Sequence, residues 1–332
     1  MRGSASKRIL VTGASGFIGR PLVTALLQAG YAVRAVVRRK VSFPDSVDVV
    51  IIPDLKNSVD WKPVLEDVNI VIHLAGLAHA DGHGTPFGEY DQINWIGTAR
   101  LANAAKKARI KRFVYISSVR AQVGAFAAQI IRENDAPSPT DHYGRSKLAA
   151  EWSIKSLLPC TILRPVVVYG PHAKGNFKTL VRLASLPLPL PFKDYNNRRS
   201  ILGLDNLISA IMFVLNSQRT LGQTFLVADP NPIMLSEIIT ILRKAQGRSP
   251  WLVYFPKFIT RNVLCLLGYS HLWERINNDM VVATTKLESL GWRPSVETYK
   301  GLRSALSAEN GIRNRQNHKF FFRSFLRDIF CK

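Results

Sequence analysis

The chain predicts an α/β fold: a doubly wound parallel sheet with helices on both faces, followed by a smaller C-terminal α/β lid. Two observations carry this expectation. Short runs rich in Val and Ile alternate with helical segments from Arg8 to Pro165, and the first run opens directly into Thr12-Gly13-Ala14-Ser15-Gly16-Phe17-Ile18-Gly19. A third observation concerns size: 332 residues, 47% of them hydrophobic, can bury a core for one large or two interlocked domains.

Taken in order, Arg8 to Thr12 reads as a short buried strand, and a helix runs from about Phe17 to Ala29 and stops at Gly30. Glycines spaced three apart let the backbone turn tightly, approach a pyrophosphate and pack the helix on the sheet. The amino end of that helix faces the phosphates. Ala32 to Val37 is a second strand. Dinucleotide folds often place an acid at its end to hold the adenosine ribose; here Val37 stands there, followed by Arg38, Arg39 and Lys40. With no carboxylate to repel a 2′-phosphate, NADP is favoured over NAD; otherwise these residues form a solvated basic turn. Val47 to Ile52 is the third strand and ends near Asp54, placed to contact the adenine; Ile70 to Leu74 is the fourth, with Ala75-Gly76 admitting backbone close to the cofactor. His79 and His83 lie beyond it with no third ligand at a metal-binding spacing, so no metal is expected. Asn94 to Arg109 is helical with Asn94 at its start, and Arg112 to Ser117 is the fifth strand. Ser118 sits at its carboxyl end, where ligands gather in open parallel sheets. Pro137 and Pro139 break the chain before the next helix, and Cys160 to Pro165 is the sixth strand.

That intervening helix carries Tyr143-Gly144-Arg145-Ser146-Lys147. At i and i+4, Tyr143 and Lys147 share one helix face. A free phenol ionises near pH ~10, and a neighbouring ammonium favours the phenolate, which makes Tyr143 usable as an acid or base near neutrality. Ser118 adds a hydroxyl from another element. A Tyr-x-x-x-Lys pair alone is commonly no more than a helix face; its chemistry depends on this context.

The net charge of +22 calls for anionic company. Nucleic acid, an anionic membrane surface and phosphate-bearing ligands are the candidates. The basic residues are spread along the chain, with no helix-turn-helix or zinc-finger pattern, so nucleic acid is set aside. Cys160, Cys265 and Cys331 lie far apart, as free thiols in a reducing compartment do. Lys7-Arg8 lead straight into the first strand without a secretory signal, and no apolar run reaches the roughly 18 residues of a membrane span. A cytoplasmic location follows.

After Tyr169-Gly170-Pro171 the character changes, with Pro187, Pro189 and Pro191 and the cluster Asn196-Asn197-Arg198-Arg199. Residues 1–171 are read as the dinucleotide-binding domain, its sheet completed by parts of 200–228, and residues 172–310 as mainly the substrate lid. Arginines in that lid either grip a diphosphate or serve solubility. Residues 311–332 form a basic amphipathic tail: Phe321, Phe322, Phe325, Leu326, Ile329 and Phe330 recur with helical spacing, and Lys319, Arg323 and Arg327 run down one flank. Such a segment lies in the headgroups of an anionic membrane, which would place the protein on its cytoplasmic face, or docks as a terminal helix on its own domain or a second subunit.

Together these residues resemble the extended short-chain dehydrogenase/reductases and, within them, the UDP-glucose 4-epimerase-like branch of the NAD-dependent epimerase/dehydratase family. The resemblance runs from about residue 8 to 305. It rests on the glycine motif, His73-Leu74-Ala75-Gly76, Asn94 with Gly97-Thr98, Ser117-Ser118, Tyr143 with Lys147, Arg164-Pro165, and Tyr169-Gly170-Pro171. It implies a Rossmann domain in which Gly13, Ser15, Gly16, Phe17, Ile18, Gly19, Arg38, Asp54, Leu55, Leu74, Ala75, Gly76, Asn94, Tyr143, Lys147 and Pro165 hold NADP or NAD. It further implies Tyr143 as acid/base, Lys147 as the group that holds the ribose and lowers the tyrosine pKa, and Ser118 as the hydroxyl on the reacting oxygen, with Asn176 and Arg199 on the sugar diphosphate and Asp205-Asn206 completing that motif. The departure is at Val37-Arg38, where UDP-glucose epimerases carry an aspartate.

Gly175-Asn176-Phe177, Leu188-Pro189-Leu190-Pro191 and Asn197-Arg198-Arg199-Ser200 resemble bacterial polysaccharide-pathway enzymes, including those that form N-acetylquinovosamine. The implied activity is hydride transfer at C4 of a UDP- or polyprenyl-diphosphate-linked hexose or N-acetylhexosamine. Reduction of a 4-ketone in O-antigen or exopolysaccharide synthesis is favoured, and UDP-glucose or UDP-N-acetylglucosamine 4-epimerisation is the alternative. A non-catalytic dinucleotide-binding protein is disfavoured because tyrosine and lysine are both present. The family also implies a homodimer paired through a helix bundle that includes the Tyr143 helix.

Overall fold

The computed structural model describes residues 7–78, 88–173, 175–266 and 270–313. Its main sheet is built from β1 (Arg8–Thr12), β2 (Ala32–Val37), β3 (Val47–Ile51), β4 (Ile70–His73), β5 (Arg112–Ile116), β6 (Cys160–Pro165) and, after a long excursion, β10 (Thr224–Val227). The seven strands are parallel and run in the order β3-β2-β1-β4-β5-β6-β10. β1 therefore has β2 on one side and β4 on the other, and the connections leave the sheet in opposite directions from this point. Ligands of open α/β sheets bind in the crevice so formed, outside the carboxyl ends of the strands.

Strands covered on both faces read as continuous apolar runs, and β1 is one. Ile9 and Val11 point to one face, against Leu22 and Leu26 of α1 (Gly19–Gln28) and Leu207, Ile211 and Val214 of α6 (Leu204–Asn216). Leu10 points to the other, against Leu101 and Ala105 of α3 (Gly97–Lys107) and Ala150 and Ile154 of α4 (His142–Leu157). α2 (Trp61–Val64) closes the β3 edge of that second layer.

Outside the main sheet, in and just before the residues read as the lid, β7 (Val167–Tyr169) pairs in parallel with β9 (Ile201–Gly203), while β8 (Arg198–Arg199) pairs antiparallel with β11 (Ile233–Met234). α5 (Asn176–Ala184), α7 (Leu235–Ala245) and α11 (Thr298–Arg313) share a separate core of Phe177, Val181, Ile238, Leu242, Leu302 and Leu306. α8 (Lys257–Leu266), α9 (Ser270–Asn277) and α10 (Thr285–Ser289) complete the lid. A buried carboxylate joins it to the sheet. Asp229, just past β10, accepts from Tyr169 Oη at 2.8 Å, Asn206 Nδ2 at 2.7 Å and Gly203 N at 3.1 Å. Burial raises its pKa and those donors oppose the rise.

The helix expected to start at Asn94 is preceded by a π-helical turn, Asp91–Ile96, so Asn94 lies inside that turn. Such turns occur often at functional sites because they re-aim a side chain within a helix. The tail predicted to carry the Phe321 to Phe330 stripe, and His79 and His83, lie outside the described residues. No helix among the described residues is long and apolar enough to cross a membrane.

Candidate active site

At the carboxyl end of β1 the backbone turns back on itself. Gly13 has φ 68°, and a Cβ there would lie 2.9 Å from Ala75 N; a Cβ at Gly19 would lie 2.2 Å from Gly13 O. Any side chain at either position would separate the turn, β4 and α1. Gly16 N donates to Gly13 O at 2.9 Å, and the amino end of α1, preceded by Ile18, has no side-chain cap. Those N–H groups and the helix dipole favour an anion. Ser15 is exposed at the crest, while Phe17 reaches across to the lid, 3.5 Å from where a Cβ on Gly170 would stand.

β1 and β4 are locked at the switch point by His73, which the sequence named only as part of a motif. Its Nδ1 is 2.6 Å from Thr12 Oγ1, its Nε2 2.8 Å from Thr98 Oγ1, and its ring stacks on Tyr115. Burial first, then the Lys147 charge, push its pKa down to about 3, so it serves as a neutral strut. Past β4, Leu74 and Ala75 are half-buried and Gly76 is exposed. The Cβ that Gly76 lacks would stand 3.0 Å from Asn94 Oδ1 and 3.8 Å from Lys147 Nζ. Asn94 accepts from Leu77 N at 2.7 Å, donates to Leu77 O at 3.0 Å and donates to Ser146 Oγ at 3.1 Å. The π-helical turn thus ties the β4 loop to α4.

Ser118 and Tyr143 meet as expected: the Ser118 side chain lies close enough to the Tyr143 phenol to lower its pKa. Two residues that the sequence reading missed hold this junction. Asp141 caps α4 by accepting from Gly144 N at 2.7 Å, and the Arg120 guanidinium forms an ion pair with the same carboxylate. A Cβ on Gly144 would meet Arg120 O at 2.2 Å, so the helix can sit this close to the segment after Ser118 only because residue 144 is glycine. Arg120 N also donates to Ser118 Oγ at 3.1 Å.

Burial pushes the Tyr143 pKa up to about 12; Ser118 lowers it, Asp141 and Tyr90 raise it, and Arg120 lowers it. The sequence assigned the lowering to Lys147, and here the structure differs. The Lys147 amine donates to Ile116 O at 2.8 Å and lies 4.3 Å from the centroid of the Tyr115 ring. Burial pulls its own pKa down to about 7, with Glu151 opposing. Desolvation sets both groups before their mutual charge can. Behind Lys147, Glu151 is sealed in: Arg164 Nε and Nη2 donate to its two oxygens at 2.9 and 2.5 Å, the Ser117 hydroxyl donates to it, and Arg164 also reaches Gln122. Pro165, next to Arg164, is buried.

At the opposite end of the crevice two residues assigned to separate tasks touch each other. Arg38 Nη1 lies 2.6 Å from Asp54 Oδ2, with the arginine side chain 69% exposed. Burial would raise the Asp54 pKa; the Lys56 N–H and Arg38 outweigh it and hold the carboxyl below its usual value. Leu55 is buried beneath, with its carbonyl 2.9 Å from the position of a Cβ on Gly97. On the lid, Arg199 Nη2 donates to Asn278 O at 3.2 Å. Asn176 opens α5, and its side chain is not among those described. Among the described residues no group of three or more His, Cys, Asp or Glu is placed to hold a metal.

The arrangement fits a dinucleotide: two glycine positions where a side chain would close the turn, an uncapped helix end for a pyrophosphate, and a proton-transfer pair at the next strand end. Comparison with known proteins agrees. The family model for the NAD dependent epimerase/dehydratase family matches residues 9–228. A UDP-glucose 4-epimerase of Vibrio cholerae is 32% identical over 93% of this chain and 97% of that protein, and a dTDP-D-glucose 4,6-dehydratase of Mus musculus is 25% identical over 92% and 89%. Among solved structures, MoeE5 in complex with UDP-glucuronic acid and NAD superimposes with a TM-score of 0.75 at 26% identity, covering 92% of this chain and 99% of that one.

Proposed function

This chain belongs to the NAD dependent epimerase/dehydratase family, and from that premise we propose that it inverts C4 of a UDP-linked hexose by moving a hydride off that carbon and back. The observation that carries the reading is the Ser118 side chain set against the Tyr143 phenol at the carboxyl end of β5, with the Lys147 amine one helical turn behind. NAD, held by Gly13 to Gly19, Leu74 to Gly76, Asn94 and Lys147, supplies the hydride acceptor and donor when bound. In its phenolate form Tyr143 takes the C4 hydroxyl proton as the C4 hydrogen departs, and Ser118 hydrogen-bonds the oxygen as it becomes a ketone. Return of the hydride to the other face of C4, with the proton given back by Tyr143 to the C4 oxygen, completes the inversion with no net oxidation. Asn176 and Arg199 are assigned to the sugar diphosphate.

Elimination, the reaction named for the murine relative, would need further groups to take a proton from C5 and give one at C6. The carboxylates of Asp141, which caps α4, and Glu151, on it, are each tied to an arginine. Inversion needs neither. Trp95, in the π-helical turn ahead of α3, and Trp152, on α4, are 40% and 62% exposed, and this supports pairing into a homodimer there.

One observation favours a second reading. Val37 puts no carboxylate at the end of β2 and Arg38 is largely exposed, which suits NADP and the reduction of a 4-keto sugar in polysaccharide-precursor synthesis, on a nucleotide or polyprenyl diphosphate carrier. The fate of the cofactor separates the two. The purified protein is analysed for bound dinucleotide, assayed for interconversion of UDP-glucose and its C4 epimer, and followed for NADPH loss with a UDP-4-keto-6-deoxy-N-acetylhexosamine. Retained NAD with interconversion is the expected result; stoichiometric NADPH consumption instead makes the enzyme a reductase.

A further inference from the structure

We infer that the segment from Trp251 to Leu266, ending in α8, is a docking face for an anionic lipid surface. The inference goes beyond the sugar chemistry and does not depend on it. Five large apolar side chains in this short stretch stand out of the lid: Trp251, Tyr254 at 66% exposure, Phe255, Phe258 at 65% and Leu266 at 87%. Phe258 and Leu266, eight residues apart on a helix, share one face. Leu264, turned away from that face, is partly buried, and the Lys257 Nζ lies 5.3 Å over the ring of buried Tyr195.

The exposure is built into the fold. Val253 N donates to Leu190 O at 2.9 Å and Leu190 N donates to Trp251 O at 3.1 Å, so the chain leading into α8 is held as an extended strip along the lid. Leu252 turns inward onto the cluster of Leu186, Leu190, Tyr195 and Ile239, which leaves its neighbours turned out.

Charge selects the occupant. Between Glu237 and Glu274 there is no carboxylate, whereas Arg248, Lys257 and Arg261 lie within or beside the apolar strip. Lys193 stands on the neighbouring strip beside Asp194, the nearest acid along that segment. A second copy of this face, or the tail with Lys319, Arg323 and Arg327, would set like charge against like. Aromatic rings flanked by Lys and Arg match a headgroup layer, where the rings enter the acyl boundary and the cations meet phosphate.

The test is co-sedimentation of the full-length protein with vesicles of phosphatidylcholine alone or mixed with phosphatidylglycerol. Binding to the mixed vesicles only, falling as salt rises, is expected. Phe258→Ser with Leu266→Ser should weaken it about tenfold or more. Arg261→Gln should narrow the gap between the two vesicle types. Both variants change exposed side chains, so circular dichroism and cofactor binding should stay as in the parent. Absence of binding to the mixed vesicles overturns the inference. So does undiminished binding by the Phe258/Leu266 variant, which would move the contact to diffuse charge or the tail. A change of oligomeric state in that variant without loss of vesicle binding would give the face to a second copy.

Discussion

The two ends of the cofactor crevice each carry an arginine–carboxylate pair, and the pairs differ in almost everything but chemistry. Arg164–Glu151, under the Tyr143 end, has side chains 5% and 1% exposed; Arg38–Asp54, at the far end, has side chains 69% and 24% exposed. In the first, every carboxylate oxygen is taken by the guanidinium or by Ser117, and the pair forms the floor on which Lys147 sits. In the second, water competes for both partners. A buried pair fixes geometry because breaking it strands a charge, whereas an exposed pair only biases an equilibrium. The Tyr143 end of the crevice is accordingly rigid and the Arg38 end adjustable.

The comparison can be broken first at its rigid end. Tyr143→Phe should lower kcat by about 10²–10⁴-fold while leaving cofactor affinity near the parent value, as read by steady-state kinetics and dinucleotide titration. Retained turnover would remove Tyr143 from the mechanism. Arg164→Met leaves Glu151 buried without its partner and should cost about 3–5 kcal/mol of unfolding free energy in urea titrations. A cost under about 1 kcal/mol would mean that the pair behaves like a surface pair.

The pH response sharpens the same contrast. Lys147 has an ordinary pKa of 10.5 and a folded one near 7, so between those values the unfolded chain binds the extra proton. Its contribution to stability is therefore present above pH 10.5 and is lost as the pH falls toward 7. Denaturant midpoints should rise with pH across that window, and Lys147→Met should flatten the rise; the parent and variant sharing one slope would refute the assignment. At the adjustable end, Arg38→Ala should change stability by no more than about 1 kcal/mol. Its effect belongs in the ratio of NADP to NAD affinity, which should fall, and an unchanged ratio would show that Arg38 takes no part in the choice.

How much of this was legible beforehand varied with the kind of interaction. The glycine turn and the Tyr143–Lys147 face follow from local rules, and both appear where the sequence placed them. Asp141, standing just ahead of a helix and after Pro139, carried a readable N-cap signal that went unused. Arg120 carried none: it reaches Asp141 across 21 positions only because Gly144 admits its backbone. His73 likewise binds Thr12, 61 positions away, through the pairing of β1 with β4.

The sequence by itself determined the parallel α/β frame, the turn at Gly13–Gly19 and the shared face of Tyr143 and Lys147, because periodicity, turn chemistry and helical spacing act over a few residues. Tertiary structure alone decided the protonation balance. Burial holds Tyr143 near 12 and Lys147 near 7, and it steers the lysine to Ile116 instead of to the phenol. It also decided that Arg38 and Asp54 would meet, and that the ring side chains between Trp251 and Phe258 would face outward. Desolvation and exposure belong to the assembled surface, and no spacing along the chain encodes them.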